Sequence, residues 1–577
     1  MRNKIDMSLA PEDTFLNPWQ DEGFRLLAEP DFFWRAVEPA IIEGIPASAL
    51  DEINARITST IKGIRRNRRF DRAIEFEAVP AILKSASIRK SIVLAGGRVL
   101  LSGAAGTRAV NRYRRENAVA GVVEAEEEMT QYFERCQEEN ADRLFPLYSG
   151  RLDSGVPFVI ECRNTFNYYH FVTESLCQLT LLDGQDFEGD IYFHYPNHEK
   201  KHRPFIHTFV EALFPEYQGR VHFERAPKEY DLALTGYDLL STYPFAPSSL
   251  FDGLHDAAGG PTLYKGANSN IANWRMIAAN GYGTPLLALR KRALKAIEGH
   301  DFSYLPKRFF VGRDDRVSRV RHMAGEDLLF EHLQLFGFEY VVFENLSPLE
   351  QIAIMAQAEV MMSYHGAGFT NMLFASPDTY VIELGTLQTA QYRWEDFWPL
   401  AHAAQCKYIN FFCDYFSETP LVEPDFKKDG IVPVSISDRA VAQVMAFVVT
   451  ILGHQPELKS AGRVAELIGA LMLAQETDRA GEVLEAHKDL LPGNFDLCLQ
   501  AADYYKKMDL PKQELVALDL AVKADPNRWQ TLIRIVWCAH RVERPQVIRW
   551  ALSRLKLEFP DRHTAFVSNH EWLRYVA

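Results

Sequence analysis

The stretch VMMSYHGAGFTNMLF at 360–374, followed by YVIEL at 380–384, limits the possible folds more than any other part of this chain. An apolar run ends in His365, Gly366, Ala367 and Gly368, and a helix-compatible run continues through Thr370 and Asn371. That order predicts a strand, a tight glycine turn and a helix N-terminus. Glycines let a ligand approach the backbone, and free N–H groups at a helix start favour an anion such as a diphosphate. The second run predicts a strand carrying Glu383 at a place suited to accepting hydrogen bonds from a ribose. In an open α/β sheet, ligands sit outside the carboxyl ends of the strands, where both features would lie. The plain alternative is a glycine turn that only packs a helix on its sheet.

The rest of the chain supplies the sheets that such a turn needs. From about 155, strand runs at 156–161, 190–193 and 220–223 alternate with helical runs at 170–182 and 205–214. The amphipathic run 285–300 predicts a helix joining two lobes. A second alternation follows: strand 308–311, helix 325–336, strand 339–343, helix 347–358 with a Ser-Pro start, then the strand leading to His365. The predicted fold is α/β, with two Rossmann-like lobes and an all-α C-terminal domain. The predicted boundaries are 1–90 for an N-terminal helical extension and 91–284 for an acceptor-side lobe. A linker helix at 285–304, a donor nucleotide-binding lobe at 305–435 and a connecting helix at 436–455 follow.

In the N-terminal part, 31–42 and 48–61 read as helices, and 91–101 as a hairpin turning at Gly96 and Gly97. In the last part, 456–577, strand patterns vanish. Pro492, Pro526 and Pro560 recur every 34 residues there, the tetratricopeptide period. Ala502 and Ala521 fall where small residues let paired helices pack, and Tyr505 where a large one fills a groove. This part is expected to hold a protein partner or to mediate self-association.

Charge and cysteines narrow the function classes. With 577 residues and a formal net charge of −14, the chain lacks the basic face that nucleic-acid binding needs. The local basic run at 62–72, with Arg65, Arg66, Arg68, Arg69 and Arg72, reads as a solvated loop or helix face, with a contact to anionic lipid or an acidic glycan as the alternative. Seven cysteines without CxxC spacing suit a reduced compartment better than a disulfide framework or zinc site. The N-terminus lacks the apolar core of a signal peptide. The most apolar helical run, 440–453, falls short of the ~20 residues a membrane span requires. These features predict a cytoplasmic protein, peripheral at the inner face if it works at a membrane.

Three ordered motifs carry a family resemblance. SYHGAGFTN at 363–371, with FASP at 374–377 and VIEL at 381–384, resembles the signature of glycosyltransferase family 61. RFFVGR at 308–313, with Arg316, Arg319 and Arg321, is similar to the family's strand and arginine cluster; His322 stands where the family carries Asn. NYYHFVTE at 167–174 resembles the family's Asn-Tyr-x-His segment with a following acid. Together the motifs cover about residues 90–420. The resemblance implies an inverting transferase of glycosyltransferase-B architecture, with two lobes facing across a cleft. Its donor would be a nucleotide-sugar, UDP-linked, and its acceptor a glycan or polysaccharide hydroxyl. No cofactor and no metal are expected.

Inverting transfer needs a general base for the acceptor hydroxyl and counter-charge for the leaving diphosphate. For the second role the candidates are the amides of Gly366, Ala367 and Gly368, with Thr370, Asn371, His365, Arg313 and Arg319. An arginine fork matches phosphate oxygens. Asp314 and Asp315 read as partners of the arginines. For the base, His170 and Glu174 share a helix face at i, i+4. Either can serve, with the other orienting it; Glu174 would need a raised pKa, whereas His170 lies near neutrality. Asn167 has the residue type of an N-cap.

Two other classes compete. A nucleotide-dependent oxidoreductase would use the same turn, but GxGxxG is missing and Glu383 arrives earlier than the usual ~20 residues. A non-catalytic nucleotide-binding scaffold recruiting partners through its repeats does not account for His170, Glu174, Arg313 and His365 together.

Overall fold

The computed structural model describes residues 5–7, 10–36, 41–67, 72–196, 203–242, 245–246, 281–313, 323–452, 461–473, 475, 477–570 and 572–573. The chain divides into two units. One comprises Met1–Pro46, Leu50–Ala324 and Gln334–Val434; the other comprises Ala47–Ala49, Gly325–Leu333 and Ser435–Ala577.

The first unit is built on three sheets. Its N-terminal strands are β1 (Phe24–Leu26), β2 (Phe32–Ala36), β3 (Ile41–Pro46), β4 (Arg72–Phe76) and β5 (Ala78–Arg89). Next come β6 (Ile92–Ala95), β7 (Arg98–Val99), β8 (Phe158–Glu161), β9 (Ile191–Tyr195), β10 (Val221–Arg225), β11 (Lys228–Asp238) and β12 (Gly281–Gly283). The remainder are β13 (Arg308–Val311), β14 (Glu339–Val341), β15 (Val360–Tyr364), β16 (Tyr380–Thr386) and β17 (Lys407–Tyr415).

One sheet runs β10-β9-β8-β11-β5-β6-β7, with β1 also on β5. Its β10-β9-β8-β11 half is parallel, as the alternation predicts. The other half is antiparallel: β5 pairs with β11 from Ala78↔Asp238 to Ile88↔Lys228, and the β6–β7 hairpin turns at Gly96 and Gly97, both with positive φ. This lobe is therefore mixed, not wholly parallel. A two-residue turn can join only antiparallel neighbours.

A second sheet, β14-β13-β15-β16-β17, is parallel along those strands. Its next strand beyond β17 on one side is β3, in register from Lys407↔Ile41 to Phe412↔Pro46. A small third sheet runs β12-β4-β2.

The N-terminal helical reading needs correction. A helix does occupy Asp51–Asn67. At 31–42, however, the described residues form β2 and the start of β3, and β4 and β5 follow at 72–89. The run Phe32-Phe33-Trp34 is aromatic, which suits a pleated surface, and Pro46 ends β3. Ala-rich β5 has no strand signal of comparable strength. Its conformation follows from pairing with β11 on one side and β1 and β6 on the other.

The helical predictions beyond this region fare better. Helices occupy Thr284–Ala296, Phe205–Leu213 and Pro348–Ala356, the last with a Ser347–Glu350 capping box. The run at 170–182 is helical but irregular: one α-turn at Tyr168–His170, a π-turn at Phe171–Ser175 and a 3₁₀ stretch at Leu176–Leu182.

In the second unit the described residues after β17 are mainly helical. Phe495–Lys507 packs on Pro511–Ala524, and Trp529–Arg541 packs on Pro545–Glu558. Ala502 and Ala521 are fully buried between these helices, and Tyr505 is half-buried. Glu326–Gln334 begins a helix that groups mostly with this unit. All seven cysteines are free and buried. Among the described residues no helix is long and apolar enough to cross a membrane.

The two larger sheets of the first unit meet through polar contacts. Tyr168, at the start of the irregular helix, donates its hydroxyl to Asn371 Oδ1 at 2.6 Å. Tyr169 donates to the Asp396 carbonyl at 2.9 Å. Asn371 is fully buried, so Tyr168→Phe strands its oxygen without a donor. The variant is expected to lose about 1–3 kcal/mol of stability. A urea unfolding midpoint equal to wild type would show that this bond does not hold the sheets together.

Candidate active site

The parallel register places the end of β13 beside the end of β15, because Arg308 pairs with Val360. Gly312 and Arg313 therefore emerge next to His365 and Gly366. The Arg313 guanidinium lies over the Tyr364 ring, 5.3 Å from its centroid, and its Nη2 donates to the His365 carbonyl at 3.1 Å. Gly366 is extended at φ −179°, which any residue tolerates. Its lack of a side chain matters for space: a Cβ there would lie 2.3 Å from Arg313 Nη2. The glycine thus makes room for the arginine.

The following turn is a 3₁₀ helix, Ala367–Phe374, in place of an α-helix. Its first amides have no acceptor within the helix. Residues 365–368 are half-buried, whereas Thr370 and Asn371 are fully buried. Asn371, expected to meet the donor, is instead employed inside the protein. It accepts from Tyr168 and donates to Gln351 Oε1 at 3.2 Å. Thr370 Oγ1 is buried without a hydrogen-bond partner among the described residues.

Glu383 also departs from the expectation of a ribose acceptor. It lies inside β16, in register with Ser363 on one side and Asn410 on the other. Its carboxylate is fully buried and accepts from His365 Nδ1 at 2.6 Å, from Asn410 Nδ2 at 3.1 Å and from the Tyr408 hydroxyl. A side chain so enclosed does not present itself to a ribose. What it does is hold the His365 ring with Nε2 directed away from the carboxylate.

A second histidine–carboxylate pair stands after β8 of the other large sheet. Asn167 caps the short helix, its side chain accepting from the His170 amide. His170 Nδ1 donates to Glu174 Oε1 at 2.7 Å. The other oxygen of Glu174 accepts from Arg108 Nη1 at 2.6 Å, and Arg108 Nη2 reaches Glu161 Oε2 at 2.6 Å. Burial raises the proton affinity of Glu174, but the hydrogen bond from His170 and the charge of Arg108 outweigh it and hold its pKa below the usual value. Glu174 is thus a weaker proton acceptor than an ordinary carboxylate, whereas a glutamate base would need its pKa raised. His170 retains Nε2 as an unprotonated acceptor in this tautomer.

Rings connect the two pairs. His170 lies 5.3 Å from Tyr169 between centroids, Tyr169 5.5 Å from Phe397, and Phe397 5.5 Å from His365. The structure therefore brings together His170, Glu174, Arg313, His365, Gly366, Ala367 and Gly368. Arg319 lies outside the described residues, as do Asp314, Asp315, Arg316, Arg321 and His322. Arg108, Glu161, Tyr168, Tyr408 and Asn410 were missed by sequence reading. None shares a helix turn or short motif with its partner, so no local pattern reveals them. A separate open cavity of about 610 Å³, lined by Tyr195, His207, His222, Glu224 and others, contains none of these residues.

No curated protein matches the chain. The family model Glycosyltransferase 61 matches residues 168–382, a span that holds the His170–Glu174 pair, Arg313 and the glycine turn. The chain is thus a glycosyltransferase, and its residues 168–382 are similar to glycosyltransferase family 61.

Proposed function

We propose that the enzyme is an inverting, metal-independent transferase of glycosyltransferase-B type, moving a sugar from a UDP-linked donor to a hydroxyl of a glycan acceptor. The observation that carries this reading is the His170–Glu174 pair, whose carboxylate is saturated while the imidazole keeps Nε2 as an acceptor. His170 Nε2 takes the proton of the acceptor hydroxyl as its oxygen attacks the sugar C1. The bond from C1 to the diphosphate oxygen breaks, and the diphosphate leaves with the electron pair. One attack on the face opposite the leaving group inverts the anomeric centre. Arg313 and the amides at the start of Ala367–Phe374 meet the charge that develops on the diphosphate. Counter-charge of that kind does not call for a divalent cation. Glu383 acts as a positioning residue for His365, whose Nε2 in this tautomer is left to accept a hydrogen bond from a hydroxyl of the donor or sugar.

The test is turnover with a panel of sugar nucleotides, each assayed with and without EDTA, and product anomers read by NMR. Transfer from a UDP-sugar that survives EDTA and inverts the anomer is expected. Complete loss with EDTA, restored by manganese, would overturn metal independence. A retained anomer would overturn single displacement, and preference for another nucleotide would overturn UDP.

A further inference from the structure

The charge cluster behind His170 is incomplete in a way that bears on catalysis. Arg108, from the helix Gly103–Val119, is the half-buried cation shared by two carboxylates, Glu174 and Glu161. Glu161 ends β8 and is buried; its Oε1 has no hydrogen-bond partner among the described residues, and its carbonyl accepts from Ser175 Oγ at 2.9 Å. Arg108 Nη2 also donates to the Ser91 carbonyl at 3.2 Å. With His170 neutral, these three charges carry an excess negative charge. With His170 protonated, they balance.

A buried ion group of this sort is a weak source of stability, since desolvation offsets its attraction. Its geometry instead matches the need of a base that must hold a proton briefly. Building on the reading of His170 as the base, we infer that Arg108 and Glu161 are positioning residues that set the proton affinity of His170 through Glu174. Neither lies within the matched span 168–382.

The surroundings are consistent with this. Burial pushes the Glu161 carboxyl up to about 7 against the pull of Arg108, so that it titrates close to where a histidine does. Arg163 lies 3.8 Å from Glu174 and 3.4 Å from His170 Nδ1, but it is half-exposed and screened by water. The remaining neighbours stay neutral. Burial pushes His194, in register with Glu161 on β9, down to about 4, and the Cys162 thiol up to about 12. Burial also raises the Cys177 thiol, with Asp238 and Glu174 adding to the effect, and the Tyr169 hydroxyl, beside Asp396 and Glu174.

Because protonation of Glu161 weakens the field at His170, and the reverse, the two groups should titrate as a linked pair. The experiment is NMR titration of imidazole-labelled full-length protein, with the His170 signal assigned by its loss in His170→Gln. In wild type the His170 curve is expected to be broader than that of one independent proton. In Glu161→Gln, which keeps the shape and an acceptor for Arg108, it should sharpen. Its midpoint should fall, because a nearby negative charge that favours the imidazolium is removed. The acid limb of the kcat–pH profile should move to lower pH with it, a change that a merely structural role would not produce.

An unchanged width and midpoint in Glu161→Gln would overturn the inference. If that variant does not fold, a wild-type His170 curve of single-proton width overturns it alone. Wild-type turnover in His170→Gln would instead remove His170 as the base while leaving the titration result standing, so the two failures are distinct.

Discussion

Replacing His170 with Gln is expected to cut turnover by about 10²–10⁴-fold while leaving donor affinity nearly unchanged. The reason is positional. His170 sits on the irregular helix after β8 rather than on the glycine turn, with Nδ1 committed to Glu174 and Nε2 left to take a proton. Glutamine keeps a hydrogen-bonding group of similar reach but cannot accept and hold a proton near neutral pH. Glu174→Gln should also lower turnover, since an amide oxygen orients the ring but carries no charge to stabilise the imidazolium. Measurement of kcat beside nucleotide affinity separates these effects from misfolding. Full turnover in both variants would place the base elsewhere and dismantle the acceptor-lobe assignment.

Loss of the Arg313 guanidinium is expected to weaken nucleoside diphosphate binding by about 1.5–3 kcal/mol, the range for hydrogen bonds to a charged group. Arg313 leans on Tyr364 and on the His365 carbonyl, so its fork is pre-organised beside the first amides of the turn. Gly366→Ala provides an independent check. The added methyl would meet the flexible end of Arg313, 2.3 Å from Nη2, and push the guanidinium aside at little cost to the fold. Titration calorimetry with UDP should therefore record weakened binding in both variants, with unfolding midpoints close to wild type for Gly366→Ala. Unchanged affinity in Arg313→Ala would remove that side chain from the site.

The parts of the site legible in the sequence are those made by neighbours along the chain. His170 and Glu174 could be paired from an i, i+4 spacing, and the structure bonds them even though the helix tightens and widens within that turn. The sequence left open which was the base; Arg108, 66 residues from Glu174, lowers the proton affinity of the glutamate and so supports the proposal of His170. His365 and Glu383 were both singled out, yet not as partners. They are 18 residues apart and meet only because β15 and β16 lie side by side in parallel register. Asn371 was assigned to the donor from its place in the motif, whereas Tyr168, 203 residues away, claims its oxygen.

The same division runs through the fold. The βα alternation, the glycine hairpin, the capped helix at 348–356 and the helical tail were determined by periodicity, turn residues and caps, which act within a few residues. Tertiary structure alone decided that 78–89 is a strand, that the first lobe is mixed, and that β3 from the N-terminal region joins the sheet of the glycine turn. In each case the local preference is weak, and backbone hydrogen bonds to a distant strand outweigh it. Glu383 follows the same rule: its side chain type permits ribose binding, but its fully buried place between β15 and β17 makes it the partner of His365.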